Sequence, residues 1–365
     1  MGVLSLRGRS RWAAAGSSAL LVTCALMVSS LASAGPASAA VGVQPMPYRI
    51  FAPYFEVWDT SAGGPAAQSQ ASGAKYLSLA FLQTPASGSC VADWNGDPTQ
   101  PIGSTFASDI AEIQAHGGNV IPSFGGYGAD TTNTELADSC TSVPAIAQVY
   151  ESLITTYHIS RIDLDVEATS LTNTAGIDRR NQAIALTEAW AARHHLPIQF
   201  SYTIPSTAQG LTAAGLAVLQ DATADGARIA TVNLMTFDYW YGTPQDMLAD
   251  SETAAEGLVG QLQTLYPGAP AWSLWHMVGI TEMPGIDDYP GGDETFTTAD
   301  AAPLLQWADQ QGVGFLSFWA LQRDNGSCPG LSGQGACSGV VQPTWFFSRT
   351  WEPFTSFGNW GNYWF

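Results

Sequence analysis

Ile162-Asp163-Leu164-Asp165-Val166-Glu167 decides how this chain of 365 residues is read. Its three carboxylates alternate with three apolar residues, the period of a β-strand and not of a helix. At roughly 3.3 Å of rise per residue, successive acids stand about 6.5–7 Å apart on one face. The other face is apolar and must be buried. Such a strand suits the inner mouth of a parallel barrel. Taken alone, the hexapeptide also fits a sandwich strand with its charged side in water, so the rest of the chain has to discriminate.

Apolar, β-rich runs recur at residues 49–54, 76–81, 118–124, 161–167, 197–203, 229–235, 271–276 and 313–319. Helical stretches lie between the later ones: 176–193 is alanine-rich and periodic, and 211–224 repeats apolar residues at spacings of three and four. Thr298 reads as the N-cap of a helix ending at Gln311, with Gly312 as its stop. Residues 61–73 form a weaker helix. This alternation predicts an α/β fold, a single-domain (β/α)8 barrel over 40–365. A doubly wound open sheet shares the alternation but needs a glycine-rich phosphate turn after its first strand, and residues 59–64 do not make one.

The N-terminus has the build of a secretion signal over 1–39. Arg7, Arg9 and Arg11 precede an apolar stretch, and Ala37-Ser38-Ala39 offers a small-residue cleavage site. The competing reading, a membrane anchor, lacks basic residues after that stretch. Removing the segment leaves 9 basic and 31 acidic residues, a formal charge of −22. That balance disfavours nucleic acid and anionic membranes and leaves neutral or cationic partners. Cys90, Cys140, Cys328 and Cys337 remain, an even count that in an exported chain reads as two disulfides. Of the three pairings, Cys328–Cys337 is favoured by its glycine-rich loop, and Cys90–Cys140 follows by elimination. The cysteines lack a CxxC and the histidines lack ligand spacing, so neither metal nor cofactor is expected. The acidic loop Asp287-Asp288…Asp293-Glu294 does not have EF-hand spacing and reads as solvated.

In a barrel of this kind the chemistry sits where strands end. Carboxylates and aromatics gather there: Ser123-Phe124-Gly125-Gly126, then Glu167, then Ser201-Tyr202-Thr203, then Met235-Thr236-Phe237-Asp238-Tyr239-Trp240-Tyr241, and finally Trp319. Flat rings stack on sugar faces, and acids protonate glycosidic oxygens. On these residues the chain resembles glycoside hydrolase family 18, the chitinase family. That family's D-x-x-D-x-D-x-E appears as residues 160–167 with Ser160 at the first position, and its S-x-G-G as 123–126. The resemblance runs from about Tyr48 to Phe357 and is strongest toward compact bacterial catalytic domains.

The resemblance implies a secreted, endo-acting chitinase that cleaves β-1,4-linked N-acetylglucosamine polymers with retention, the substrate's own acetamido oxygen acting as nucleophile. It makes Glu167 the general acid and later base. Asp165 is the group that orients the acetamido N–H, and Asp163 a deeper acid sharing a proton with Asp165. Tyr239 joins this catalytic set, because Phe237 stands where many relatives carry a tyrosine and the hydroxyl must come from Tyr239 or Tyr241. Asp238, Met235, Trp319, Tyr54 and Tyr241 are expected to bind substrate. Trp58, Trp94, Trp240 and Trp275 are offered as further sugar platforms. Chitin or chito-oligosaccharides are the implied partners of a monomer, with no nucleic acid and no membrane. The short interval between the seventh and eighth strands leaves no room for an α+β insertion domain, so the groove should be open. Two other readings stand beside this one: an endo-β-N-acetylglucosaminidase acting on N-glycans, and a non-catalytic chitin-binding lectin of the same fold.

Overall fold

The computed structural model describes residues 42–288, 292–332 and 335–356. The expected signal segment 1–39 lies outside them. Eight parallel strands form the barrel: β1 in two pieces (Ile50–Phe51 and Tyr54–Glu56), β2 (Tyr76–Gln83), β3 (Asn119–Gly125), β4 (Arg161–Asp165), β5 (Gln199–Thr207), β6 (Ile229–Met235), β7 (Val278–Glu282) and β8 (Phe315–Phe318). Each pairs with the next. The ring closes through the split first strand, whose Ile50 pairs with Phe315 of β8 while Tyr54 pairs with Ser78 of β2.

The helices are α1 (Pro65–Ser72), α2 (Ala107–Ala115), α3 (Tyr127–Thr132), α4 (Leu136–Ser139), α5 (Val143–Tyr157), α6 (Thr174–Arg193), α7 (Ala213–Asp225), α8 (Met247–Leu265), α9 (Ala271–Met277), α10 (Ala301–Gln311) and α11 (Phe346–Trp351). Their starts follow side-chain chemistry. Ser142, Asn173 and Thr212 each accept a backbone N–H of the first turn of α5, α6 and α7, satisfying donors that a helix leaves open. Gly312 ends α10 as expected, at a φ of 88° that other residues adopt only with strain.

Alternation on β4 sorts its side chains as the sequence predicts. Ile162, Leu164 and Val166 are buried in the apolar layer between strands and helices. Arg161, Asp163 and Asp165 point into the barrel, and register places Ser123 and Ser201 beside Asp163. The upper barrel interior is therefore polar, and below it Ile50, Tyr76, Ile121 and Phe315 form a small apolar cluster with Arg161 lying over the ring of Phe315.

Two expectations fail. Residues 271–276 are helix α9 and not the seventh strand, which is Val278–Glu282. A short apolar run has the same composition in either state, and Pro270, at φ −70°, opens a helix directly before it. Thr298 does not cap α10 either. Asp300 is its N-cap residue, with its carboxylate turned back onto the N–H and hydroxyl of Thr297. Between β7 and α10 the described residues hold an antiparallel pair, Gly285–Ile286 with Thr295–Phe296, and no insertion domain.

Both disulfides join the expected partners, Cys90 with Cys140 and Cys328 with Cys337.

Candidate active site

A groove of about 740 Å³ opens at the C-terminal ends of the strands. Asp165 and Glu167 line it, with Tyr54, Met235, Asp238 and Trp319 from the expected set. Gly125 sets its depth, because a Cβ there would fall 2.0 Å from the carbonyl oxygen of Asp165. The strand pair can approach this closely only at glycine. Gly126 is equally constrained: a Cβ there would lie 2.4 Å from the ring of Phe81.

Asp163 lies below the groove, buried and saturated with donors. Tyr54 donates to its Oδ2 at 2.8 Å, Ser123 to Oδ2 at 2.7 Å, Ser201 to Oδ1 at 2.6 Å, and Thr203 to Oδ1 at 3.0 Å. Burial raises its pKa while these hydroxyls pull it back. Asp165, equally buried, has no such shell, and its Oδ1 lacks a partner. Burial first, then the charges of Glu167, Asp163 and Asp130, push its pKa well above the carboxylate range. That shift favours the protonated form of Asp165, whose carboxyl stands within hydrogen-bonding reach of Glu167. The expected sharing between Asp163 and Asp165 gives way to this pair, because Asp163 is already engaged by hydroxyls. Burial also raises the pKa of Glu167, against the pull of the Tyr127 N–H and of Asp165.

Trp319 forms a floor of the groove. Phe81 lies parallel to it with centroids 5.4 Å apart, and Tyr54 and Trp58 pack at 5.5 and 6.1 Å. Trp58 and Trp240 stand exposed on the groove wall. Trp94 and Trp275 do not reach it: Trp94 is core against Phe106, and Trp275 packs edge-on to Trp307.

The tyrosines after β6 depart from expectation. Tyr239 is buried, stacks on Tyr241 at 5.6 Å, and turns its hydroxyl toward Ser206 and Glu282. Tyr241 is half-exposed, and its hydroxyl accepts the N–H of Ala208 at 3.2 Å. Neither lines the groove. Phe237 and Asp238 occupy that wall, and the lining hydroxyls belong to Tyr54, Tyr127, Thr203 and Thr281. The acidic loop explains this placement. Glu294, buried and not solvated as expected, accepts the N–H groups of Tyr239 and Trp240, both at 2.8 Å. Buried Asp287 accepts that of Asp238 at 3.0 Å. These bonds hold Asp238 at a φ of 55° with its carboxyl in the groove. Burial, then proximity to Asp287, raises the Asp238 pKa to about 9, so the carboxyl is neutral at neutral pH.

Several lining residues went unread in the sequence. Met283 and Asp288 follow the true seventh strand and were hidden by its displacement. Phe81, Gln83 and Asn95 come from the end of β2 and the loop beyond it, which carry no motif. Among the described residues, three acids stand close enough together to hold a cation, Asp178, Asp221 and Asp225. They lie on α6 and α7 and do not line the groove.

The family model for glycosyl hydrolases family 18 matches residues 50–263, which carry the acidic strand, the glycine pair and Asp238. The chain belongs to this family. Family 18 resemblance extends to a probable bifunctional chitinase/lysozyme of Escherichia coli (strain K12), 29% identical over 318 residues, covering 85% of this chain and 35% of that protein. Endochitinase 11 of Metarhizium anisopliae is 32% identical over 225 residues, covering 60% and 42%. The chain thus spans well under half the length of these curated relatives. Among solved structures, the catalytic domain of a hyperthermophilic chitinase from Pyrococcus furiosus superposes with a TM-score of 0.74 at 29% identity, covering 88% of this chain and 99% of that one. Catalytic-site mutants of active domain 2 of the thermostable Pyrococcus furiosus chitinase, complexed with chito-oligosaccharides, give 0.74 at 28% identity, covering 86% and 96%.

Proposed function

We propose that this chain is a secreted, monomeric, endo-acting chitinase that cleaves β-1,4 bonds between N-acetylglucosamine units with retention of configuration. One observation carries the reading: the hydrogen-bonded Asp165–Glu167 pair opens into a groove floored by Trp319. The relatives named for chitinase activity add support.

Two neighbouring carboxyls holding one proton are suited to pass it on. A bound sugar stacks on Trp319, and its acetamido N–H takes Asp165 as acceptor. The proton shared by the pair then rests on Glu167, which donates it to the leaving glycosidic oxygen. The acetamido carbonyl oxygen attacks the anomeric carbon as the C–O bond breaks, and the charge of the resulting oxazolinium ring is stabilised by Asp165. Glu167, now a carboxylate, takes a proton from water as that water opens the ring from the same face, restoring the β configuration. Between β7 and α10 the described residues add only the Gly285–Ile286 and Thr295–Phe296 pair beside the groove, which supports internal cleavage.

The test is to incubate the protein with N-acetylglucosamine tetramer to hexamer and follow product size and first-formed anomer. Mixed internal products in the β form are expected. Products released first in the α form, or turnover confined to high-mannose glycoprotein, would overturn it. Binding without turnover would identify a lectin. Culture fractionation tests export, and gel filtration tests the monomer.

A further inference from the structure

The chain leaves β4 through a sharp turn. Glu167 is followed by Ala168 at a φ of 40°, a left-handed conformation that alanine adopts with strain. The general acid therefore sits at the start of a strained turn, beyond the last ladder pair of its strand, Asp165 with Thr203. Strain persists only where surrounding bonds over-determine it.

Those bonds come from α3, and chiefly from Asp130. This residue is fully buried, and its Oδ2 accepts the backbone N–H of Glu167. Its own carbonyl accepts the hydroxyl of Thr169 on the far side of the turn. Its N–H is fixed in turn by the carbonyl of Gly126 at 3.0 Å. A helix residue gripping both arms of the turn also sets the direction in which the Glu167 side chain leaves the backbone. Tyr127 of the same helix supplies an N–H to the Glu167 carboxylate itself.

We propose that Asp130 is a positioning residue for the general acid: by holding the Glu167 amide it fixes the Glu167 carboxyl against Asp165 and the scissile oxygen. This rests on the family 18 mechanism proposed above but assigns Asp130 a part that the acidic motif does not contain. Burial, then the charge of Glu135, raises the Asp130 pKa to about 9. It is uncharged at neutral pH, and asparagine copies both its shape and its charge while keeping an acceptor oxygen for the amide. Alanine keeps neither the acceptor nor the volume.

The test compares Asp130→Ala and Asp130→Asn with the unaltered protein on N-acetylglucosamine tetramer, alongside thermal melting. Misplacing a catalytic group by about 1 Å costs on the order of 100-fold. The expectation for Asp130→Ala is a fall in kcat of roughly 30- to 100-fold with KM within about twofold. Asp130→Asn should recover most of that loss. If Asp130→Ala does not fold, Asp130→Asn decides alone: near-normal kcat supports the inference, and a loss as deep as that of Glu167→Gln overturns it. A folded Asp130→Ala with unchanged kcat, or one whose losses appear equally in KM and kcat, also overturns it. An unaltered protein that does not turn over the tetramer refutes the chitinase reading instead.

Discussion

Tyr54 and Asp163 are locked together inside the barrel, the phenol donating to Oδ2 at 2.8 Å while the hydroxyl of Thr203 stands 2.7 Å from the same phenol. This contact ties the first strand to the fourth and holds Asp163 as an acceptor. Tyr54→Phe removes one of the hydroxyls that lower the Asp163 pKa. Asp163 then protonates at higher pH and its field on Asp165 weakens. The acidic limb of the kcat profile should move upward, with kcat/KM down roughly tenfold at neutral pH, since a buried hydrogen bond to a charged group is worth about 1.5–3 kcal/mol. An unmoved limb and an unchanged rate would contradict this role.

Asp165→Asn keeps the shape of the side chain and an N–H to offer Glu167. On the mechanism proposed above, it loses the proton that would pass to Glu167 and the negative charge that would face the oxazolinium. A kcat lower by on the order of 100-fold or more is expected in steady-state kinetics on the tetramer. KM should move far less.

Glu167→Gln removes the transferable proton and leaves the Trp319 floor intact. Hydrolysis should vanish, while calorimetry still detects chito-oligosaccharide binding. Loss of binding together with hydrolysis would argue that the substitution had collapsed the groove.

Thermal stability should fall from pH 7 to pH 9. Burial raises the pKa of Glu282 to about 8 and that of Asp130 to about 9, and Glu56 reaches about 7. In the unfolded chain these groups lose their protons near pH 4–4.5. Across the window between, the folded state binds more protons than the unfolded one, so unfolding becomes easier as pH rises. His276, lowered to about 4 by burial, acts in the opposite direction, but only below about pH 6.5. Melting curves of Glu282→Gln should show a shallower decline between pH 7 and 8. A melting temperature that rises over that interval in the unaltered protein would refute the assignment.

The Cys90–Cys140 bridge spans 50 residues and ties the segment after β2 to the end of α4. Replacing both cysteines with serine should cost on the order of 2–4 kcal/mol, read as a lower denaturant midpoint. Catalysis at room temperature should change little, since the bridge does not line the groove.

The barrel and the acids of β4 were legible because alternation is a local signal that the fold has no reason to override. The seventh strand was not: 271–276 and Val278–Glu282 are both short apolar runs, and only packing decides which one joins the sheet. The role of Asp130 was hidden because it lies 37 residues before Glu167 in sequence and meets it only across the turn. Composition made the acidic loop look solvated, yet Asp287 and Glu294 are buried, since the backbone amides of 238–240 needed acceptors. Tyr239 was misplaced for the same reason, because those bonds turn its ring away from the groove.

The two pieces of β1 have a consequence for how the molecule is made. Ile50 and Phe51 find their partners at Phe315 and Leu316, more than 260 residues later. A chain emerging from the ribosome cannot finish its ring until β8, the last strand of the barrel, has been synthesised, and until then two sheet edges remain unpaired. Contacts this distant in sequence make for slow folding and a long exposure to aggregation, so this seam is where assembly is most vulnerable.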